Sequence, residues 1–137
     1  MTKFSDSLLI RVYYEDTDHG GVVYYANYLK FMERARTEFL RAAGMELDAI
    51  EREFGLLFAV TEANVRYHAP ALFNDLLIVE SSVMKMRGAR IVFNQRILRQ
   101  DSRKLLTEAE IRVACIKRNG SVARIPPAIT NRLKKYI

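Results

Sequence analysis

Apolar residues change their spacing twice along the chain, and each change predicts a change of secondary structure. Residues 8–14 alternate between apolar and polar positions, which is typical of a half-buried strand ending near Glu15. Further on, apolar residues recur at helical spacing, as on one face of an amphipathic helix. These positions are Tyr28, Met32, Ala35, Phe39 and Ala42. A helix over about residues 26–43 is therefore predicted, with Asn27 as its start signal and Gly44 as the left-handed residue after its end.

Alternation with a period of two returns in the second half of the chain. Strands are predicted over residues 57–67, 75–86, 89–100 and 104–117. A short helix is predicted within residues 46–54, and a helical turn in the basic tail at residues 129–137. The links between these strands are too short for crossover connections, so the sheet is predicted to be antiparallel, which with one long helix gives an α+β fold. Since one helix covers only one face of a sheet of about five strands, we expect the remaining apolar surface to meet a second subunit.

Length and composition indicate one domain spanning residues 1–137. Hydrophobic residues make up 50% of the chain and charged residues 28%, which excludes a disordered or fibrous protein. No stretch approaches the ~20 consecutive apolar residues of a membrane-spanning helix. The N-terminus, where Asp6 follows Lys3 and Phe4, has no signal-peptide pattern. We therefore expect a cytoplasmic protein without stable membrane insertion.

Residues that commonly hold metals or form disulfides are scarce. Cys115 is the single cysteine, so an intrachain disulfide is excluded. His19 and His68 are the two histidines, and neither shares a recognised ligand spacing with a carboxylate or with Cys115. The sequence therefore predicts no metal site and no bound cofactor.

Basic and acidic residues are distributed unevenly along the chain. Residues 1–83 carry a net charge of −5 and residues 84–137 one of +11, within an overall charge of +6. A strongly basic half favours a partner that bears phosphate, such as a nucleic acid or a phosphorylated small molecule. Base stacking needs aromatic residues among the basic ones, and Phe93 is the one aromatic residue within positions 84–104. A nucleic-acid-binding module is therefore the less favoured alternative.

The segment from Tyr14 to Tyr25 contains the densest group of chemically useful residues. Asp16 and Asp18 stand just before the predicted helix, where backbone N–H groups have no intrahelical partner and carry partial positive charge. Such amides can hold an oxyanion, and the glycines that follow let a substrate approach the backbone closely. A carboxylate beside these amides provides two parts of an acyl-transfer site. The other interpretation is that both aspartates only satisfy turn and helix-end amides, which acidic residues commonly do.

Four motifs resemble one known family. They are Tyr-Tyr-Glu-Asp-Thr-Asp-x-Gly-Gly-Val-Val-Tyr-x-Ala-Asn-Tyr at residues 13–28, Phe-x-Glu-Arg-Ala-Arg-Thr-Glu at 31–38, Val-x-Tyr-x-x-Pro-Ala at 65–71 and Asp-x-Leu at 75–77. Together they look like the 4-hydroxybenzoyl-CoA thioesterase branch of the hotdog-fold superfamily, and most like its acyl-CoA thioesterases associated with the bacterial Tol-Pal system. The resemblance implies hydrolysis of acyl-CoA thioesters by an antiparallel sheet wrapped around one long helix. It also implies homodimers that pair their sheets, often assembled into homotetramers, with active sites at the subunit interface.

The resemblance implies roles for two residues of the first motif. Asp18 matches the family's catalytic carboxylate, acting as a nucleophile or as a general base, and the backbone N–H of Tyr25 holds the thioester carbonyl oxygen. The Tol-Pal-associated enzymes typically have histidine at the position of Tyr25, whereas the hydroxybenzoyl-CoA type has tyrosine. His19 in the same loop is a less favoured acid–base substitute.

Seven further residues are candidates for binding the substrate, of which coenzyme A is a part. They are Gly20, Gly21, Thr61, Asn64, Lys85, Arg87 and Arg90. The glycines belong to the catalytic loop, the threonine and asparagine to a strand that can line an acyl pocket, and the basic residues to the hairpin that approaches the nucleotide in this family. Solvated strand ends and ordinary strand packing are the alternative explanations. At the level of function, the alternative is a hotdog protein that binds acyl-CoA or acyl carrier protein without cleaving it.

Overall fold

Helices and strands follow the order that the sequence predicts. The computed structural model describes residues 6–137; the expectation of no signal peptide depends partly on residues 1–5, which lie outside the described residues. The strands are β1 (Asp6–Arg11), β2 (Leu56–Tyr67), β3 (Leu76–Arg87), β4 (Arg90–Arg99) and β5 (Leu105–Lys117). The helices are α1 (Asn27–Ala42), α2 (Leu47–Phe54) and α3 (Pro127–Leu133), and single turns of 3-10 helix span Tyr14–Asp16 and Lys134–Tyr136. Among the described residues, no helix is long and apolar enough to cross a membrane.

The five strands form one antiparallel sheet in the order β1-β3-β4-β5-β2, which leaves β1 and β2 at its edges. The buried face of this sheet packs against α1, and the two contribute most of one continuous apolar core. The predicted α+β class and antiparallel sheet are therefore confirmed. Predicted bounds of α1 and of β2 to β5 agree with the structure to within one residue at each end.

Helix α1 buries one apolar face, as its periodicity predicts. The buried residues are Tyr28, Phe31, Met32, Ala35, Phe39 and Leu40. The prediction for Ala42 is wrong, because this residue is exposed and Ala43 is buried in its place. Gly44 ends the helix with a φ of 85°, as predicted, and a Cβ at this position would lie 2.5 Å from the Arg132 Nη1 atom.

The first strand is shorter than its alternating sequence predicts, ending at Arg11. Val12 stays buried, but Tyr14 is 80% exposed and begins a 3-10 turn. The turn forms because the Asp16 carboxylate accepts a hydrogen bond from the backbone N–H of Tyr13 at 2.8 Å. A local side-chain bond of this kind competes with strand pairing.

Candidate active site

Asp16 fixes the path of the chain between β1 and α1. Its carboxylate accepts a hydrogen bond from the Tyr13 N–H. Its backbone carbonyl accepts two more, from the Tyr24 N–H and from the Asn27 side-chain amide, both at 2.9 Å. Asn27 was predicted to cap α1, but it is the first helical residue and Ala26 occupies the cap position. Asp16 therefore has the structural role that the sequence left open for it.

Asp18 lies at the tip of the same segment, in a tight turn. The turn is closed by hydrogen bonds from the Asp18 N–H to the Val22 carbonyl at 2.8 Å and from the Gly21 N–H to the Asp18 carbonyl at 3.2 Å. Gly21 has a φ of 81°, which favours glycine strongly. The Gly20 N–H donates to Asp18 Oδ1 at 2.8 Å, and a Cβ on Gly20 would lie only 3.3 Å from this oxygen.

Protein contacts thus orient the Asp18 carboxylate but occupy only one of its two oxygens. Its side chain is exposed, and Oδ2 has no hydrogen-bond or ion-pair partner among the described residues. One oxygen is held by a backbone amide, and the other is available to a substrate or a water molecule. This geometry suits a nucleophile or a general base, both of which need a free oxygen lone pair in a fixed position.

Tyr25 lies two residues before the first residue of α1. The segment around it is held by hydrogen bonds from the Tyr24 N–H to the Asp16 carbonyl at 2.9 Å and from the Asn27 N–H to the Tyr24 carbonyl at 2.8 Å. The backbone N–H of Tyr25 itself has no acceptor within the described part of the chain. An unpaired amide therefore lies in the same loop as the free carboxylate oxygen of Asp18.

Aromatic rings surround the start of α1. The Tyr25 ring contacts Tyr24 at 4.9 Å and Tyr67 at 6.4 Å between centroids, and Tyr28 contacts Tyr67 at 5.5 Å. Burial raises the pKa of both Tyr28 and Tyr67, so their hydroxyls stay protonated at neutral pH. The Tyr28 hydroxyl accepts a hydrogen bond from the Ala71 N–H at 3.0 Å, which ties α1 to the segment that follows β2.

The segment from Pro70 to Asp75 packs against the loop that contains Asp18 and Tyr25 and is hydrogen-bonded to it. The Val23 N–H donates to the Ala71 carbonyl at 2.8 Å. The Arg99 guanidinium in turn holds this segment, with Nε 3.0 Å from Asp75 Oδ2 and Nη2 3.0 Å from the Pro70 carbonyl. The later motifs of the sequence, Pro-Ala and Asp-x-Leu, therefore position the first.

The structure groups only some of the predicted substrate-binding residues with Asp18. Gly20 and Gly21 belong to its turn. Thr61 is the extra residue of a bulge in β2, and its hydroxyl lies 3.3 Å from the Arg112 carbonyl, which gives it a role in strand pairing. Asn64 lines a separate shallow pocket with Glu108 and Glu110. Among the described residues, neither of these two side chains forms a hydrogen bond with Asp18.

The basic candidates lie at the far end of the sheet. Lys85, Arg87 and Arg90 surround the hairpin between β3 and β4. Strand β3 begins beside the Pro70 to Asp75 segment and ends at Arg87, about 36 Å away at ~3.3 Å per residue. Within one protomer the hairpin and Asp18 are therefore apart. None of the three basic residues has a carboxylate within 4.0 Å among residues 6–137.

Among the described residues, five of the eleven other basic side chains in residues 84–137 form ion pairs with acidic residues of the first 83 positions. The pairs that cross the two halves are Arg96–Glu80, Arg99–Asp75, Arg103–Glu80, Arg112–Glu62 and Arg118–Glu51. The +11 of residues 84–137 is thus not one continuous basic surface. The three basic residues of the hairpin form no ion pair within the described part of the chain.

A cavity between α1 and the sheet was not predicted. It has a volume of about 270 Å³ and is lined by Glu33, Arg36, Thr37, Leu40, Leu47, Phe58, Val60, Ile91, Phe93 and Val113. The Arg36 guanidinium donates to Gln95 Oε1 at 3.0 Å, and burial lowers its pKa. The sequence carried one signal for this cavity, because Arg36 follows Met32 by four positions and so falls on the apolar face of the helix.

The sequence and the fold of this chain are similar to those of known proteins. Residues 12–133 match the thioesterase-like superfamily. The chain is 47% identical over 107 residues to the acyl-CoA thioester hydrolase YbgC of Escherichia coli O6:H1, covering 78% of each chain. It is 46% identical over 110 residues to the acyl-CoA thioesterase YbgC of Haemophilus influenzae, covering 80% of this chain and 79% of that one. A probable thioesterase from Bartonella henselae superposes with a TM-score of 0.84 at 34% identity, covering 88% and 98% of the two chains.

Proposed function

Since the chain belongs to the thioesterase-like superfamily, we propose that it hydrolyses acyl-CoA thioesters to a free acid and coenzyme A. Its membership of this superfamily confirms the resemblance drawn from the four sequence motifs. The observation that carries the proposal is the turn in which Asp18 Oδ1 is held by the Gly20 amide while Oδ2 stays free. The two YbgC proteins, named for this activity, support it.

In the proposed reaction, the backbone N–H of Tyr25 donates a hydrogen bond to the thioester carbonyl oxygen. This amide stabilises the negative charge that develops on that oxygen when the carbonyl carbon is attacked. Asp18 either attacks the carbon itself, forming an anhydride that water then cleaves, or removes a proton from an attacking water molecule. In both routes the carbon–sulfur bond breaks, the thiol leaves with a proton, and the acyl group gains the oxygen of water.

The release of free thiol from acyl-CoA tests the proposal directly. We expect the wild-type protein to release thiol at a rate proportional to enzyme concentration across a panel of short, long and aromatic acyl-CoA substrates. Measurement with a thiol-reactive chromophore gives kcat and KM for each. A protein that binds acyl-CoA tightly but releases no thiol from any member of the panel would instead be a non-cleaving binder of acyl-CoA or acyl carrier protein.

The proposed enzyme works as a homo-oligomer, a dimer or a tetramer, with its active sites between subunits. Edge strand β2 supports this proposal, because its side chains from Val60 to Asn64 are exposed and its outer backbone groups have no strand partner among the described residues. A second subunit also explains how the hairpin at Arg87 can serve a distant Asp18. The substrate site is then completed by two copies of the chain.

The hairpin of basic residues is proposed to bind the phosphates of coenzyme A. The double variant Arg87→Gln/Arg90→Gln is expected to raise KM for acyl-CoA by about 10-fold with little change in kcat, because charge-assisted hydrogen bonds to phosphate are lost. The same variant is expected to cleave the corresponding acyl-pantetheine, which lacks the nucleotide phosphates, with wild-type KM.

Arg52→Gln provides the control for this change. Arg52 is an exposed arginine of α2 whose guanidinium pairs with Asp48. An equal rise in KM for acyl-CoA and acyl-pantetheine, or an equal effect of Arg52→Gln, would contradict the phosphate-binding role of the hairpin.

A further inference from the structure

Tyr67, the last residue of β2, forms a hydrogen bond to the segment just before α1. Its hydroxyl donates a hydrogen bond to the backbone carbonyl of Tyr25 at 3.2 Å. The two residues are 42 positions apart in the sequence, so the contact exists only in the folded chain. In the described part of the chain, no backbone N–H donates to this carbonyl, and the Tyr67 hydroxyl supplies the bond in its place.

The bond acts on the residue whose amide the proposed reaction uses. The N–H and the carbonyl of Tyr25 lie on the two peptide planes that meet at its Cα, and only the two backbone dihedrals of Tyr25 set the angle between them. The plane that carries the N–H also carries the Tyr24 carbonyl, which accepts a hydrogen bond from the Asn27 N–H at 2.8 Å. The Tyr67 hydroxyl anchors the other plane. Together the two bonds fix the direction in which the unpaired N–H points.

Ring packing holds the Tyr67 hydroxyl in place. The Tyr67 ring meets Tyr25 edge-on, at 6.4 Å and 89°, and lies against Tyr28 at 5.5 Å. Its side chain is nevertheless 48% exposed, so packing alone does not require a tyrosine here in preference to phenylalanine. Since burial raises the pKa of Tyr67, the hydroxyl remains a donor at neutral pH and slightly above it.

From this geometry we propose that Tyr67 is a positioning residue, which orients the Tyr25 amide toward the thioester carbonyl. The inference rests on the proposed thioesterase function and adds to it a residue of β2 that the family motif alone does not assign a role. Donors fixed in advance stabilise a developing oxyanion without having to reorganise during the reaction. If the Tyr25 amide can change its orientation, it stabilises the oxyanion of the transition state less well, while binding of the substrate in the ground state changes little.

The variant Tyr67→Phe tests this role because it keeps the ring and removes the hydroxyl. We expect kcat to fall about 10-fold, KM to stay within about twofold of wild type and the thermal midpoint to be unchanged, since one hydrogen bond to a partly exposed group contributes little to stability. Tyr14→Phe is the matched control: Tyr14 is 80% exposed, and its hydroxyl has no hydrogen-bond partner among the described residues. A wild-type kcat in Tyr67→Phe, or an equal loss in Tyr14→Phe, overturns the proposal.

An infrared measurement separates this inference from the proposed function. The variant Asp18→Asn is used to hold an uncleaved acyl-CoA labelled with carbon-13 at the thioester carbonyl, and the carbonyl band is compared with that of the free ligand. A hydrogen bond from Tyr25 lowers the band frequency, and we expect Asp18→Asn/Tyr67→Phe to lose a large part of this shift. No shift in Asp18→Asn contradicts the role of the Tyr25 amide itself and, with it, this inference. An identical shift in both variants contradicts the role of Tyr67 alone.

Discussion

Replacing Asp18 with asparagine is expected to slow thioester hydrolysis by about 10²- to 10⁴-fold without disturbing the fold. Asparagine keeps an Oδ1 atom that can accept the hydrogen bond from the Gly20 N–H, so the turn is retained. An amide group, however, neither attacks a carbonyl carbon as a carboxylate does nor removes a proton from water. The loss is measured as kcat in the thiol-release assay, alongside the thermal midpoint.

Asp16→Asn is the matched control, because it removes the same charge from the same loop two positions away. Asp16 uses Oδ2 to accept the Tyr13 N–H at 2.8 Å, and an asparagine oxygen can replace it. We expect kcat to remain within about threefold of wild type, since a neutral hydrogen bond differs from a charged one by ~1 kcal/mol at most in this setting. Comparable losses in both variants would show that the charge of the loop, not the Asp18 carboxylate, is what the reaction needs.

The helices and most strands could be predicted from the sequence because the spacing of their apolar residues follows the face that is buried. The apolar face of α1 and the alternation in β2 to β5 give bounds within one residue of those observed. The end of β1 could not be predicted in this way. Alternation continues to Tyr14, but the Asp16 carboxylate binds the Tyr13 amide and turns the chain first.

The parts of the candidate site that depend on residues close together in the sequence could be predicted. The parts that depend on contacts between distant residues could not. The turn at Asp18 depends on glycines two and three positions away, and these are visible in the sequence. Three other features depend on which helices and strands lie side by side in the fold. They are the hydrogen bond between Tyr67 and Tyr25, the cavity beside Arg36 and the ion pairs between the two halves of the chain. The net charge summed along the chain therefore overstated the basic surface, since the fold brings acidic residues of the first half to five arginines of residues 84–137.

Removing the Phe39 side chain is expected to cost about 3–5 kcal/mol of unfolding free energy, the largest stability loss that we predict. Phe39 is 1% exposed at the centre of the core. Its ring packs edge-on against Phe93 of β4, at 5.9 Å between centroids, and against Tyr136 of the C-terminal turn, at 5.1 Å. Phe39→Ala therefore leaves a cavity where α1, the sheet and the C-terminal turn meet. Urea denaturation at a fixed protomer concentration measures the loss, because an oligomer's stability depends on concentration.

The control for Phe39→Ala is Phe73→Ala, at a residue that is 50% exposed and contacts Tyr14 edge-on at 6.0 Å. A loss of ~1 kcal/mol or less is expected there, because half of the ring is already in water. Since Phe39 lies in the fourth turn of α1, far from Asp18, its removal should lower activity only in proportion to the unfolded fraction. If Phe39→Ala were no more destabilising than Phe73→Ala, the packing of Phe39 between α1, β4 and the C-terminal turn would not be a main source of the stability of the fold.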